Sequence, residues 1–110
     1  MEVQAITKNV RMAAQKMREV TRQIQGLPVA VAQAKLAAVQ RKSARAVAKT
    51  LKSAIANAEN NLEAKAAELY VKEAVAQTAR SIRRFTPKAR GSAGPIIKRS
   101  CHIKIVVSDE

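Results

Sequence analysis

Between Lys42 and about Asn60 the apolar residues Ala44, Val47, Leu51, Ala54, Ile55 and Ala58 recur at intervals of three and four. On a helix this spacing gathers them into one stripe about 100° wide. The same winding carries Lys42, Arg45, Lys49 and Lys52 onto a separate arc, largely opposite the stripe. The spacing predicts a helix that is apolar inside and basic outside. Asn57, Asn60 and Asn61 mark its end, since short amide side chains tolerate the left-handed conformation that closes a helix. A shorter helix fits Met12 to Gln25, with Ala13, Met17, Val20 and Ile24 inward, Arg11, Arg18 and Arg22 outward, and Gly26 as its stop. Its start is poorly capped, because the nearest good capping residue, Asn9, lies upstream. Pro28 suits the first turn of a further helix, where its missing amide hydrogen costs nothing, and Val29, Ala32, Leu36 and Val39 form that helix's stripe.

Helices of this length make a thin layer and need a second layer to bury against. The second half of the chain supplies a different period. Ile103, Ile105 and Val107 alternate with His102, Lys104, Val106 and Ser108, the two-residue repeat of a half-buried strand. Val71, Glu73, Val75 and Gln77 suggest a partner strand, and Val3, Ala5 and Thr7 in the first ten residues suggest a third. Between the two later strands, Arg80 to Arg99 carries the turn formers Pro87, Gly91, Gly94 and Pro95 near its middle and reads as a long hairpin. The pattern predicts an α+β fold: three helices packed on a small three-stranded antiparallel sheet, with a long protruding β-hairpin.

Charge changes the picture from fold to partner. Lysine and arginine number 21 against 8 acidic residues in a chain of 110, a formal net charge of +13. Such a charge calls for a polyanion, either nucleic acid or an anionic membrane surface. The longest uncharged run, Gln23 to Ala34, is too short to span a bilayer and is broken by Gly26 and Pro28. The start shows no basic segment followed by an apolar one, so no secretory signal is visible. One cysteine, Cys101, cannot form an internal disulfide, which fits the cytosol or an organelle matrix.

The charge is unevenly placed. From Ala74 to Ser108 there is no acidic residue, while Arg80, Arg83, Arg84, Lys88, Arg90, Lys98, Arg99 and Lys104 are all basic. Ten residues on each side of a hairpin reach roughly 30 Å at about 3.3 Å per residue. Arginines on such an arm grip phosphates bidentately and stack on bases, lysines act as point charges, and Phe85 offers a stacking surface. Glycines at the tip let backbone pass close to RNA. A disordered basic tail is the plainer alternative, but a strongly patterned strand follows this stretch.

Catalytic chemistry finds little support. Cys101 and His102 are neighbours in a strand, so their side chains point to opposite faces and do not meet as nucleophile and base. One Cys and one His cannot assemble a zinc site, and no cofactor is implied. His102 reads as an RNA contact or a satisfied surface group. Glu59, Glu63, Glu68 and Glu73 read as a solvated face that partly balances Lys65 and Lys72. A DNA-compacting protein using the Lys42–Lys52 helix in a groove would account for the charge but leaves the arm without a task.

The residues Ser53-Ala54-Ile55-Ala56-Asn57-Ala58-Glu59-Asn60-Asn61 resemble the signature of the bacterial large-subunit ribosomal protein twenty-two family. Leu69-Tyr70-Val71-Lys72-Glu73, the arm segment Arg84-Phe85-Thr86-Pro87-Lys88-Ala89-Arg90-Gly91, and the ending Lys98-Arg99-Ser100-Cys101-His102-Ile103 with Val106-Val107-Ser108 resemble it in order and spacing. The resemblance implies one RNA-binding domain over residues 1–110, set on the cytoplasmic large ribosomal subunit near the peptide exit. It implies binding to the large ribosomal RNA, a part in early subunit assembly, and an arm at about 80–99 that lines the nascent-peptide tunnel. Lys88, Ala89, Arg90, Gly91, Ser92 and Ala93 would form the tip, facing large-subunit protein four and the passing nascent peptide. Charge and resemblance together mark Lys8, Arg11, Lys16, Arg18, Lys42, Arg45, Lys49, Arg80, Arg83, Arg84, Phe85, Lys88, Arg90, Lys98, Arg99 and His102 as RNA-binding. Ser92 and Pro95 stand where the family commonly has arginine, so this tip is less basic than is usual.

Overall fold

A computed structural model describes residues 2–62, 68–87, 91 and 93–109. In chain order the elements are β1 (Glu2–Val10), α1 (Ala14–Ile24), α2 (Val29–Ala38), α3 (Lys42–Leu62), β2 (Tyr70–Thr78), β3 (Ile82–Pro87), β4 (Ala93–Lys98) and β5 (Cys101–Ser108). Among the described residues there are two sheets, one of three antiparallel strands in the order β1-β5-β2 and one formed by β3 and β4 alone. The α+β architecture read from the pattern is the one observed.

The three-stranded sheet places its apolar residues in register. Val107 of β5 pairs with Val3 and Val71, Ile105 with Ala5 and Ala74, and Ile103 with Thr7 and Ala76. Helices α1 and α3 pack on the sheet, and α2 packs chiefly on α3. The core between the layers holds Met17, Val20 and Ile24 of α1, Val29, Ala32 and Leu36 of α2, and the whole expected stripe of α3. At its margin Thr50 Oγ1 donates to the Ala46 carbonyl at 2.9 Å and so accepts from Thr7 Oγ1 at 2.8 Å, tying α3 to β1.

Three local expectations shift, each for a visible reason. Helix α1 begins at Ala14 rather than Met12, because Ala13 is extended with ψ 138° and caps nothing with its side chain. The Met12 amide instead bonds back to the Val10 carbonyl at 2.8 Å. Arg11 therefore lies ahead of the helix, and Ala14 rather than Ala13 joins the core. Helix α3 runs through Asn57, Asn60 and Asn61 to Leu62. Asparagine in a helix costs at most about 0.7 kcal/mol relative to alanine, less than the burial of Ile55 and Ala58 on the same turns gains. In β2 a bulge between Val71 and Glu73 switches faces, so Ala74 and Ala76 face the core and Val75 shares the outer face with Glu73 and Gln77.

Gly26 closes α1 at φ +80°, and its amide donates to the Val71 carbonyl at 2.8 Å. Val71 N then donates to Leu27 O at 2.9 Å and Val29 N to Leu69 O at 3.1 Å, which pins the α1–α2 connection to the start of β2. The left-handed turn there needs a residue without a Cβ penalty.

The hairpin joins β3 to β4 in register from Ile82↔Lys98 to Pro87↔Ala93. It lengthens the molecule to 62 Å along its long axis and raises the radius of gyration to 17.0 Å, against about 13 Å for a compact chain of this length. Because β3 and β4 share no ladder with the three-stranded sheet, deleting Arg83 through Gly94 is expected to leave one cooperative thermal transition by circular dichroism. Loss of cooperativity would mean that the arm supports the core.

Candidate nucleic-acid interface

The α3 helix presents Lys42, Arg45, Lys49 and Lys52 as an exposed basic ridge, since the same turns bury Ala44, Val47 and Leu51. Near its start, Lys42 and Lys16 of α1 line one shallow cleft with Met12, Glu19, Arg41 and Ser43. An Arg41–Glu19 ion pair spans that cleft, so two of the expected cations meet across a helix junction that carries its own acid.

On the outer face of the sheet, Asn9 adopts φ 59° at the irregularity between Thr7 and Val10. Its backbone amide donates to His102 Nδ1 at 3.1 Å. A ring that accepts at Nδ1 carries its neutral-form hydrogen on Nε2, which stays available as a donor. Lys8 is exposed near this site and Lys104 half-buried beside it on β5.

The densest group of cations surrounds the root of the hairpin. Arg18 of α1, Arg83 of β3 and Arg99 line a cleft of about 450 Å³ with Ile97 and Ser100. On the other face, Arg11, Arg80, Lys98 and Arg99 line a second cleft of about 410 Å³ with Ile82 and Ser100. The root is closed by Ala79 N donating to Ser100 O at 3.1 Å and Ser100 Oγ donating to Arg80 O at 2.7 Å. Among the described residues none of these six cations forms an ion pair with a carboxylate. Arg84 and Phe85 take their places in β3 by backbone pairing with Ile96 and Pro95.

Of the sixteen residues marked from sequence, the fourteen among the described residues divide among the α3 ridge with its junction to α1, the sheet's outer face, and the hairpin strands and root. Lys88, Ala89, Arg90 and Ser92, expected at the tip, lie outside the described residues, whereas Gly91 sits there at φ +74° and Ala93 opens β4. Glu63 and Lys65 are also outside. Glu59, Glu68 and Glu73 are exposed as expected, but Lys72 pairs with Glu2 across β5 instead of with that row. The sequence reading missed Ile82 and Ile97, which stand 48 % and 50 % exposed at the root. The available signal was an isoleucine directly followed by cations, as in Ile82 before Arg83 and Arg84 and Ile97 before Lys98 and Arg99.

Burial within β5 pushes the Cys101 thiol above its ordinary pKa, with nearby Arg18 acting the opposite way, so the thiol is protonated and enclosed rather than poised as a nucleophile. Among the described residues no three potential metal ligands converge, and no helix is long and apolar enough to cross a membrane.

The small α+β body with exposed cations on the α3 ridge, the sheet's outer face and the hairpin root defines a strongly basic protein with a projecting arm. The family model for ribosomal protein L22p/L17e matches residues 5–108. Large ribosomal subunit protein uL22 of Opitutus terrae is 51% identical over 109 residues, covering 99% of this chain and 96% of the relative. The protein of the same name from Akkermansia muciniphila is 46% identical over 110 residues, covering 100% of this chain and 98% of the relative. That of Chloroflexus aggregans is also 46% identical, covering 100% and 97%. The chain belongs to the L22p/L17e family of ribosomal proteins, whose members are structural constituents, and it is not an enzyme.

Proposed function

We propose that the protein is a structural constituent of the large ribosomal subunit in the cytoplasm, where it binds the large ribosomal RNA through the hairpin, the α3 ridge and His102. The observation that carries this reading is the acid-free stretch from Ala74 to Ser108, which presents its cations on a projecting two-stranded arm. Phosphates packed around such an arm neutralise it and release counterions, which supplies most of the binding free energy. Binding to several RNA segments would give the protein a part in early subunit assembly. The tip, Lys88, Ala89, Arg90, Gly91, Ser92 and Ala93, lines the nascent-peptide tunnel opposite protein four. With Ser92 and Pro95 in its sequence, its role is to fit a narrow passage as much as to bind. Sedimentation of lysate at low salt is expected to bring the protein down with large subunits. Recovery with chromosomal DNA in their place would overturn the reading.

A further inference from the structure

We propose that the cleft between the start of α1 and the root of the hairpin is a phosphate seat, in which Arg18, Arg83 and Arg99 hold one RNA phosphodiester with its ribose against Ile97. The inference rests on the RNA-binding reading and names the subsite at which the backbone is held. Its consequence is mechanical, because Arg18 belongs to the body while Arg83 and Arg99 belong to the two sides of the arm. A phosphate seated among them joins arm to body, where the protein's own closure, at Ala79–Ser100 and Arg80–Ser100, links the two sides of the root to each other.

Three features of the cleft argue for an anion. Three arginines from separate elements line one space of about 450 Å³ with no carboxylate among the lining residues. Like charges gathered this way repel unless an anion sits between them. Arg18 is also held in place, since its Nε–H donates to the Ala76 carbonyl at 3.0 Å. That bond fixes the guanidinium plane and leaves its terminal amino groups for a bidentate grip on phosphate oxygens. Finally, Ile97, half exposed beside Arg83 in the strand register, gives the seat one apolar wall, which suits a sugar attached to the phosphate better than a free inorganic ion. The uncapped first turn of α1, with Ala13 at its cap and no acidic residue, borders the same space and adds amide donors.

The experiment is a titration of the full-length, nitrogen-15-labelled protein with inorganic phosphate at fixed ionic strength, followed by measurement of affinity for the large ribosomal RNA. Saturating shifts are expected at the Nε–H signals of Arg18, Arg83 and Arg99 and at the amides of Ala14 and Gln15, and they should vanish in Arg83→Gln/Arg99→Gln. That variant keeps the body's melting temperature, because neither residue belongs to the core. Shifts that never saturate, or that spread equally to Arg45 on α3, overturn the seat. For RNA, Arg83→Gln/Arg99→Gln is expected to lose about 100-fold in affinity, about tenfold for each charge-assisted contact. Lys35→Gln/Lys72→Gln, which removes the same charge from exposed positions outside the proposed RNA-binding surfaces, should lose only severalfold. Equal losses overturn the inference and leave the RNA reading standing. A wild-type protein that takes phosphate in the cleft but does not bind RNA supports the seat and overturns that reading.

Discussion

Exchanging Arg45 and Lys49 for glutamate is expected to lower affinity for the large ribosomal RNA by on the order of 100-fold and to reduce the slope of log affinity against log salt by about two. Both side chains are exposed on α3, and neither forms an ion pair among the described residues. Each phosphate they neutralise releases condensed counterions, and each contributes about 0.9 to the slope. Reversing the charge removes those contacts and adds repulsion from the same phosphates. Stability should change by no more than about 0.5 kcal/mol, as is usual for surface substitutions away from caps and networks. Binding measured across a salt series tests this, with a urea melt as the control for folding. An unchanged slope would mean that this ridge faces solvent or protein in the bound state.

The second large effect is on the core. Leu51→Ala is expected to cost about 4 kcal/mol of unfolding free energy, towards the upper end of the range for such truncations. Leu51 is fully enclosed, and its enclosed companions on the same helix include Ala44, Ala54 and Ala58. Alanines have no side-chain length with which to close over a gap, so the cavity persists and its lining loses dispersion contacts. Against a total of about 5–15 kcal/mol for a domain of ordinary stability, that loss threatens folding. Leu51→Met conserves volume and should cost less than about 1.5 kcal/mol. Chemical denaturation of both variants decides the matter, and a loss below about 1 kcal/mol for Leu51→Ala would show that the layers can collapse onto the site.

The elements that the sequence made legible are those in which one period runs without interruption. Ala44 through Ala58 and Ile103 through Val107 each keep one period, and the residues it marked are buried where the pattern put them, with Val106 on the other face of β5 buried as well. Boundaries were harder where neighbouring backbone decided them. The start of α1 depends on Met12 N reaching Val10 O, and the face of Val75 depends on a bulge two residues earlier in the ladder. Neither leaves a mark in local hydrophobicity.

The candidate interface shows the same division. Which side chains carry charge is plain from composition, but which of them share a cleft depends on distant segments. Arg18 and Arg99 are 81 positions apart in the chain and meet only because the root of the arm folds beside the start of α1. The exposed isoleucines escaped notice because an apolar residue beside cations looks the same in sequence whether it packs inward or stands in solvent.

The strand order has a consequence for how the molecule is made. β1 and β2 share no ladder with each other, and both pair with β5. During synthesis, residues 101–108 emerge after everything they join, so the first strand waits unpaired until β5 has been made. Long-range pairing of this kind is slow and leaves strand edges open. The arm, by contrast, closes between near neighbours in the chain and can form before the sheet exists. A nascent chain would therefore carry its basic hairpin ready for RNA while the body that is to hold it is still incomplete, and polyanions nearby could act as its first chaperone.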